Sequence, residues 1–250
     1  MAQFDRQNVG ARAQSSAMID EGLRSYMLKV YNYMSIGLGI TGVVAYFLFK
    51  MTAIVDSSGN IAGFTELGAL IYQSPLMWVI ALSPLAFVMV LSFGINKMSA
   101  ATAQLTFWAF ATVMGLSLSS IFITYEIMSI ARVFFITAAT FGAMSLYGYT
   151  TKRDLTGMGS FLFMGLIGII IASIVNIFLA SSALAFGISV IGVLVFVGLT
   201  AYDTQKIKEE YLESDSSEIM GKKAIMGALR LYLDFINLFL MLLRLFGNRN

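Results

Sequence analysis

The chain contains no cysteine and no histidine among its 250 residues, and it has only two prolines. Without cysteine there is no disulfide bridge, no thiolate metal site and no cysteine nucleophile. Without histidine the chain lacks the commonest general base, the commonest metal ligand and the usual side chain that titrates near neutral pH. Any response to pH must therefore come from carboxylates or lysines in unusual surroundings.

Charged residues are also scarce. They make up 12% of the chain, compared with about a quarter of a typical soluble protein, whereas hydrophobic residues make up 58%. The net charge of +2 is small and the basic residues are scattered, which argues against a nucleic-acid partner. The first 29 residues are polar and lack the apolar run of a cleavable signal peptide. The composition predicts an integral membrane protein whose main partner is the lipid bilayer.

Seven segments are apolar enough to cross a bilayer as helices, because a hydrocarbon core about 30 Å thick requires roughly 20 residues. They are residues 30–49, 76–95, 103–124, 133–150, 160–180, 183–205 and 225–246, all approximate. Two long connections remain. Residues 50–75 are mixed in composition and suit a short interfacial helix, and residues 206–224 are charged and predicted to be aqueous. We predict an all-α transmembrane domain over 26–250, preceded by a polar cytosolic segment over 1–25.

The distribution of lysine and arginine predicts the orientation, because cytoplasmic loops carry an excess of both. With the N-terminus in the cytosol, eleven basic residues fall on that side and four on the other, with Arg230 omitted because it lies inside a span. Seven spans then place the C-terminus outside. Before the first span, Ser16 to Asp20 suggest a short amphipathic helix. The eleven are Arg6, Arg12, Arg24, Lys29, Lys97, Lys152, Arg153, Lys206, Lys208, Lys222 and Lys223, and the four are Lys50, Arg132, Arg244 and Arg249.

Two kinds of residue bear on helix packing. Small residues four positions apart favour close helix contacts in lipid. Such pairs are Ala138 with Gly142, Gly168 with Ala172, and Gly115 with Ser119. Pro84 lies in the middle of the second span and cannot donate to the carbonyl of Ile80, so the span should kink or leave that carbonyl to another partner. A kinked helix beside a pore is a candidate gate, and a purely structural kink is the alternative.

The most informative residue is Asp234, a carboxylate within the last apolar span. A membrane-embedded aspartate costs about 2.5–3.5 kcal/mol on insertion scales, so it should face a protein interior or a water-filled path. A second carboxylate, Asp203, lies at the end of the preceding span. Two acids that share a proton titrate as a unit, with one step moved toward neutral pH. Such a pair would sense pH without histidine and, once deprotonated, would offer oxygen ligands to Ca²⁺.

The alternative interpretation of the acidic residues is structural. Arg230 lies four residues before Asp234 on the same helical face and could simply neutralise it. Asp203 has Lys206 three residues further on and could lie at the membrane interface. From the residues alone, both interpretations remain open, and Arg230 is a candidate charge partner in either.

Three long segments carry a family resemblance. They are VFFITAATFGAMSLYGYTTKRDLTGMGSFLFMGLIGIIIASIVNIF, GLTAYDTQKIKEEY and ALRLYLDFINLFLMLLRLFG. The chain from about residue 23 to its end resembles the Bax inhibitor-1 family, and within it the bacterial YccA/YbhL-like branch. The resemblance implies seven transmembrane helices, six of them around a central C-terminal helix, in a bacterial inner membrane. It also implies no resident cofactor, a pH-sensitive leak of Ca²⁺ as the permeant ion, and a gating pair matched here by Asp203 and Asp234. Some members carry a basic residue in the second helix, where this chain has no charge; Arg230 is a candidate replacement.

Other functions are weaker or remain as alternatives. An intramembrane aspartyl protease would also use two aspartates, but its Gly-x-Gly-Asp turn is absent before Asp234, and we expect no enzyme activity. Bacterial relatives are linked to a membrane-anchored quality-control protease. A regulatory protein that binds such a protease without conducting ions is therefore the alternative function.

Overall fold

The computed structural model describes the backbone of residues 2–56 and 61–250, and the side chains of residues 20–56 and 61–250. Nine α-helices and one two-stranded antiparallel sheet follow one another in this described part of the chain. They are α1 (Ala2–Thr52), β1 (Ala53–Val55), β2 (Ile61–Phe64), α2 (Glu66–Tyr72), α3 (Leu76–Gly94), α4 (Ala100–Leu118), α5 (Ile121–Thr124), α6 (Ile127–Thr150), α7 (Thr156–Leu179), α8 (Ser182–Glu209) and α9 (Ser217–Phe246).

Seven of these elements are long and apolar enough to span a membrane, which confirms the predicted number of spans. The backbone of α1 is helical without a break from Ala2 to Thr52, so the helix expected around Ser16 to Asp20 continues into the first span. The predicted amphipathic character of residues 16–20 depends on their side chains, and those up to residue 19 lie outside the described side chains. The second span is extended by a 3₁₀ turn over Ile95–Lys97, and the third by α5.

The two long connections differ from their predicted form. Residues 50–75 contain the short helix α2, but they also contain the β1–β2 hairpin, which pairs Ala53 with Phe64. A three-residue strand is too short to give a readable alternation of polar and apolar residues. The charged connection over 206–224 is mostly helical, since only residues 210–216 separate α8 from α9. Charge alone does not end a helix, and the lysines of this region lie on half-buried helical turns.

Serine and threonine side chains define where several helices begin. Ser99 Oγ accepts from the backbone N–H of Thr102 at 3.1 Å, and Ser216 Oγ accepts from that of Ile219 at 3.3 Å. Each satisfies one of the N–H groups that a helix leaves without an internal partner. The turn between α7 and α8 contains Ala180 at φ 47°, a left-handed conformation that ends α7 abruptly.

The last helix, α9, lies at the centre of the bundle. Within its most apolar window 72% of the residues are buried, against 11% in α3 and α7. It packs against α1, α4, α6 and α8, while α3 packs chiefly on α4 and α7 on α8. The outer helices present large apolar side chains such as Phe93 and Phe178, which are exposed as required for contact with lipid.

Close helix approach at a glycine occurs in only one of the three predicted small-residue pairs. A Cβ on Gly115 would lie 2.7 Å from the carbonyl oxygen of Thr41, so α1 and α4 touch there. The prediction was wrong for Gly142 and Gly168, where a Cβ would meet open space. Small residues also occur on surfaces that face lipid or a groove, and sequence spacing does not reveal which helix lies opposite.

Candidate functional site

Asp234 lies on the central helix and is 5% exposed. Two residues earlier, Tyr232 is completely buried, and its hydroxyl is 2.6 Å from the Thr41 hydroxyl, which donates to the carbonyl of Ala111 at 2.8 Å. These hydrogen bonds tie α9 to α1 and α4. Since residues two apart lie on nearly opposite sides of a helix, anchoring Tyr232 toward α1 and α4 directs Asp234 toward α8.

Asp203 lies on α8, in a stretch that approaches two neighbouring helices very closely. Gly148 of α6 faces the backbone of Ala201, and Gly159 of α7 faces the ring of Tyr202; in each case an added Cβ would overlap its neighbour. Glycine is required at both positions because the opposing atoms leave no space for a side chain. These two contacts hold α8 in place at the two residues that precede Asp203.

The residues after Asp203 are also held by hydrogen bonds. Thr204 is buried, and its hydroxyl is 2.9 Å from that of Ser145, which in turn is 2.7 Å from the Tyr31 hydroxyl. The amide of Gln205 accepts from the N–H of Leu155 and donates to a carbonyl of the same connection, both at 2.8 Å. With its neighbours bound to α6 and α7, Asp203 is left on the side of α8 that faces α9.

The structure places the side chains of Asp203 and Asp234 next to each other across the α8–α9 interface. A hydrogen bond between two carboxyl groups requires that one of them carries a proton. No donor among the described residues lies within hydrogen-bonding distance of the buried Oδ2 atom of Asp234. The same part of the chain contains no group of three or more His, Cys, Asp or Glu side chains arranged to hold a metal ion. A cation at the pair would thus rely on two carboxyl groups and on water or carbonyl oxygens.

Arg230 binds a different acid from the one expected. Its Nη1 atom donates to Oε1 of Glu210 at 2.7 Å, and its side chain is 40% exposed. Arg230 does not form a salt bridge with Asp234, because the turn after α8 supplies Glu210 as its partner. The charge of Arg230 still acts on both aspartates, although it forms no salt bridge with either.

A polar cavity of about 530 Å³ borders the Arg230–Glu210 pair at the end of the molecule where α8 stops and α9 starts. Lys222 and Lys223 also line it, and each is paired with a carboxylate, Glu218 at 3.7 Å and Asp215 at 2.6 Å. The cavity is therefore electrically balanced within the described residues. It gives water access to one side of Arg230, whose charge acts on the aspartate pair.

Pro84 is buried inside α3, and the helix continues through it. The carbonyl of Ile80, which loses its usual donor, accepts a hydrogen bond from the hydroxyl of Ser83 at 2.8 Å. The prediction that this carbonyl needs another partner is confirmed. A role of Pro84 in gating stays a prediction.

Sequence reasoning did not find the residues that position the pair. Glu210 was assigned to an aqueous connection, and Ser145, Thr204 and Gln205 carry no charge to mark them. One signal was available for Glu210. An arginine inside an apolar span favours an acidic partner, and Glu209 and Glu210 are the first acids after the end of the preceding span.

The fold and these side chains define a multi-pass helical membrane protein with a carboxyl pair between its last two helices, of which Asp234 is buried. Residues 23–250 match the Bax1-I family, described as inhibitor of apoptosis-promoting Bax1. The chain is 50% identical over 230 residues to an uncharacterised protein of Rickettsia prowazekii, covering 92% of each chain. It is 47% identical over 241 residues to the inner membrane protein YbhL of Escherichia coli, covering 95% of this chain and 97% of that protein. A membrane protein of Streptococcus pyogenes is 35% identical over 231 residues, with 92% and 96% covered. The chain therefore belongs to the Bax inhibitor-1 family.

Proposed function

We propose that the protein is a pH-sensitive calcium-leak channel of the bacterial inner membrane, gated by Asp203 and Asp234 and without enzymatic activity. The observation that carries the proposal is the contact between the two carboxyl groups across the α8–α9 interface, with Asp234 buried. No basic side chain among residues 20–56 and 61–250 forms a salt bridge with either aspartate. The pair therefore depends on a proton for its neutrality.

Loss of the shared proton supplies the force for gating. Two unit negative charges about 4 Å apart repel by about 4 kcal/mol at an effective dielectric constant of about 20. A bias of about 5.5 kcal/mol moves a two-state equilibrium from 1:99 to 99:1. The repulsion is thus of the size needed to separate α8 from α9. At low pH the proton holds the two helices together and the leak is closed; at higher pH the carboxylates repel and the leak opens.

Calcium is the proposed permeant ion because it prefers oxygen ligands and accepts a flexible coordination shell. Two carboxylates give such an ion a strong but incomplete site, with the remaining positions filled by water. An incomplete site suits transit, since conduction requires that an ion bind well enough to enter and weakly enough to leave.

The experiment measures Ca²⁺ entry into liposomes that contain only this protein, at a series of pH values from acid to alkaline that are equal inside and outside. Wild-type protein should show an influx that rises with pH. Asp203→Asn and Asp234→Asn should each flatten this dependence, because an amide can hydrogen-bond but cannot ionise. The double variant should add little to either single change, since the two residues act as one unit.

Asp154→Asn is the matched control. This exposed carboxylate lies between α6 and α7, and hydrogen bonds from the side chain and the backbone N–H of Thr156 hold its pKa below the usual value. It is therefore ionised throughout the tested range, and its removal should leave the pH profile unchanged. If both single variants kept the wild-type profile, the pair would be structural. If wild-type liposomes showed no influx at any pH, the alternative of a non-conducting regulator of a membrane-anchored quality-control protease would replace the channel.

A further inference from the structure

A second polar cavity lies at the opposite end of the molecule from the Arg230–Glu210 pair. It has a volume of about 680 Å³ and lies where α7 turns into α8 and where α9 ends. Two arginines line it, Arg244 in the last turn of α9 and Arg249 in the tail that follows. The rest of the lining consists of serine hydroxyls, one asparagine amide, one tyrosine and apolar side chains, and it includes no carboxylate.

The two arginines differ from several basic residues at the other end of the molecule. Lys206, Lys223 and Arg230 each lie within 2.8 Å of a carboxylate oxygen. By contrast, neither Arg244 nor Arg249 takes part in any ion pair found over residues 20–56 and 61–250. Two guanidinium groups on one cavity repel each other, and an anion placed between them would turn that repulsion into two charge-assisted contacts.

Arg249 is held in position by the backbone around it. The segment after α9 forms a β-bridge between Tyr125 and Arg249, and the N–H of Asn248 donates to the Ser129 hydroxyl at 2.9 Å. The guanidinium carbon of Arg249 lies 5.9 Å from the centre of the Tyr125 ring, a cation–π contact. A charge fixed in this way before binding loses little freedom when it receives a ligand.

The start of α8 adds further positive potential at the same place. Ser181 and Ser182, which line the cavity, belong to the first turn of this 28-residue helix. The N-terminal end of a helix carries a partial positive charge and favours anions. The N–H of Ser181 donates to the side chain of Asn176 at 3.0 Å, which fixes the turn. The helix end therefore adds to the positive potential of the two arginines, but it would not define a site without them.

The rim of the cavity is apolar and exposed. Ile177 of α7 and Phe186 of α8 line it and are 73% and 63% exposed. Both belong to helices long and apolar enough to span a membrane, which makes lipid chains the expected neighbours of these side chains. A ligand that fits the cavity thus combines a negative head for the arginines with an apolar part for the rim. Basic pockets between transmembrane helices are known to receive the head groups of anionic lipids.

We propose that this cavity binds the phosphate group of an anionic phospholipid, with Arg244 and Arg249 on the phosphate and the acyl chains against Ile177 and Phe186. The proposal is independent of the calcium leak, since it concerns the far end of α9 and neither Asp203 nor Asp234 takes part. Free inorganic phosphate shares the same head-group chemistry but would gain nothing from the apolar rim.

The test uses the purified full-length protein, stripped of lipid in neutral detergent. Binding is titrated by native mass spectrometry with a short-chain phosphatidylglycerol and, in parallel, with the matching phosphatidylcholine, which carries no net charge. Phosphatidylglycerol should bind at least about tenfold more tightly. Arg244→Gln and Arg249→Gln should each weaken its binding by about tenfold, since each removes a hydrogen bond to a charged group. Phosphatidylcholine binding should change little.

Lys50→Gln is the matched control, because it removes one positive charge from the same end of the molecule but outside the cavity. It should leave phosphatidylglycerol binding unchanged. Arg244→Lys and Arg249→Lys keep the charge and should retain part of the affinity, which separates loss of charge from loss of fold.

A second arm of the experiment adds millimolar inorganic phosphate. Failure of phosphate to displace the lipid supports a lipid site, and displacement that depends on both arginines supports a phosphate site filled from solution. Equal binding of the two lipids, or unchanged binding after both arginines are replaced by glutamine, would overturn the proposal.

Discussion

At the scale of single residues, the acidic pair is distinguished by its electrical surroundings. Asp203 and Asp234 lie next to each other, and the charge that offsets them comes from Arg230, which is itself bound to Glu210. Glu210 therefore acts on the pair in two ways. Its negative charge adds to that of the aspartates. It also binds Arg230, and so competes with the aspartates for the positive charge of that residue. The two partners should consequently tune the pair in opposite directions.

We expect Arg230→Gln and Glu210→Gln to shift the pH dependence of Ca²⁺ influx with opposite signs. Removing the positive charge of Arg230 makes loss of the shared proton harder, so the rise in influx moves to higher pH. Removing the negative charge of Glu210 makes that loss easier, so the rise moves to lower pH. Each shift should be about one pH unit, which corresponds to about 1.4 kcal/mol. The measurement is the midpoint of the influx curve in liposomes.

The two shifts test whether the charges act on the pair or only on the fold. If Arg230 and Glu210 were merely a structural clamp, breaking it from either side would have the same effect. Shifts of the same sign would reject the tuning role. The absence of any shift, in variants whose elution volume and melting temperature match those of the wild type, would also reject it. Lys206→Gln is a suitable control, because its Nζ atom binds Glu209 at 2.8 Å on the exposed side of α8.

At the scale of elements, the approach of α6 to α8 depends on Gly148. A Cβ at this position would overlap the backbone of Ala201, which cannot move aside as a flexible side chain would. We expect Gly148→Ala to destabilise the protein by about 1–3 kcal/mol, the usual cost of overpacking. Gly142→Ala on the same helix should instead stabilise it by up to about 1 kcal/mol, because a Cβ there meets open space and alanine favours helix.

Thermal unfolding of both variants in the same detergent checks this pair of predictions. The comparison is internal, since both substitutions add one methyl group to the same helix. Equal melting temperatures for the two variants would show that α6 and α8 are less closely packed than the structure indicates. A displaced α6 should also disturb the Ser145–Thr204 hydrogen bond and so alter the pH profile of the leak.

Helix contacts were also the part of the fold that sequence predicted least well. Spacing singled out Gly142 and Gly168, which face open space, and passed over Gly148 and Gly159, which fix α8 beside Asp203. A four-residue pattern describes one helix, whereas close approach depends on what the neighbouring helix presents. The aspartates themselves could be found because a charge in an apolar span is conspicuous. Their uncharged neighbours could not be found in this way.

The second span illustrates how an element adapts to a proline. Because Pro84 leaves the Ile80 carbonyl to Ser83, we expect Ser83→Ala to destabilise the wild-type protein by about 0.6–1.7 kcal/mol, the range of single hydrogen bonds in membrane proteins. In a Pro84→Ala background the backbone N–H at residue 84 becomes the donor, so the same change should cost almost nothing. Unfolding of the four proteins in bicelles measures the coupling. An equal loss in both backgrounds would show that Ser83 has no compensating role.

At the scale of the whole molecule, hydropathy predicted how many helices cross the membrane but not how they are arranged. The most apolar span, α7, has a mean hydropathy of 2.6 and is 11% buried, whereas α9 has a mean hydropathy of 1.7 and is 72% buried. Helices that face lipid are as apolar as helices that face protein, so composition does not identify the central one. Its position followed from the family resemblance and from the cost of placing Asp234 in lipid.

The orientation of the whole bundle is the last prediction. Seven spans place the two ends of the chain on opposite sides, and the excess of lysine and arginine on the side of the α8–α9 turn predicts that this side is cytosolic. The C-terminal cavity with Arg244 and Arg249 would then face outward. This arrangement also explains the two arginines. Basic residues are less frequent on the outer side, and a pair there without carboxylate partners among residues 20–56 and 61–250 fits the proposed anionic ligand.

Reporter fusions test the orientation directly. Alkaline phosphatase, active only outside the cytosol, should be active when fused after residue 250 and inactive when fused between residues 210 and 216. A fluorescent protein that folds only in the cytosol should give the opposite pattern. Insertion at residues 151–155 provides an internal control, because the same topology places this connection in the cytosol with Lys152 and Arg153. Phosphatase activity at 210–216 would show that the bundle has the opposite orientation. The aspartate pair would then lie nearer the outer surface, and external rather than cytosolic pH would set the leak.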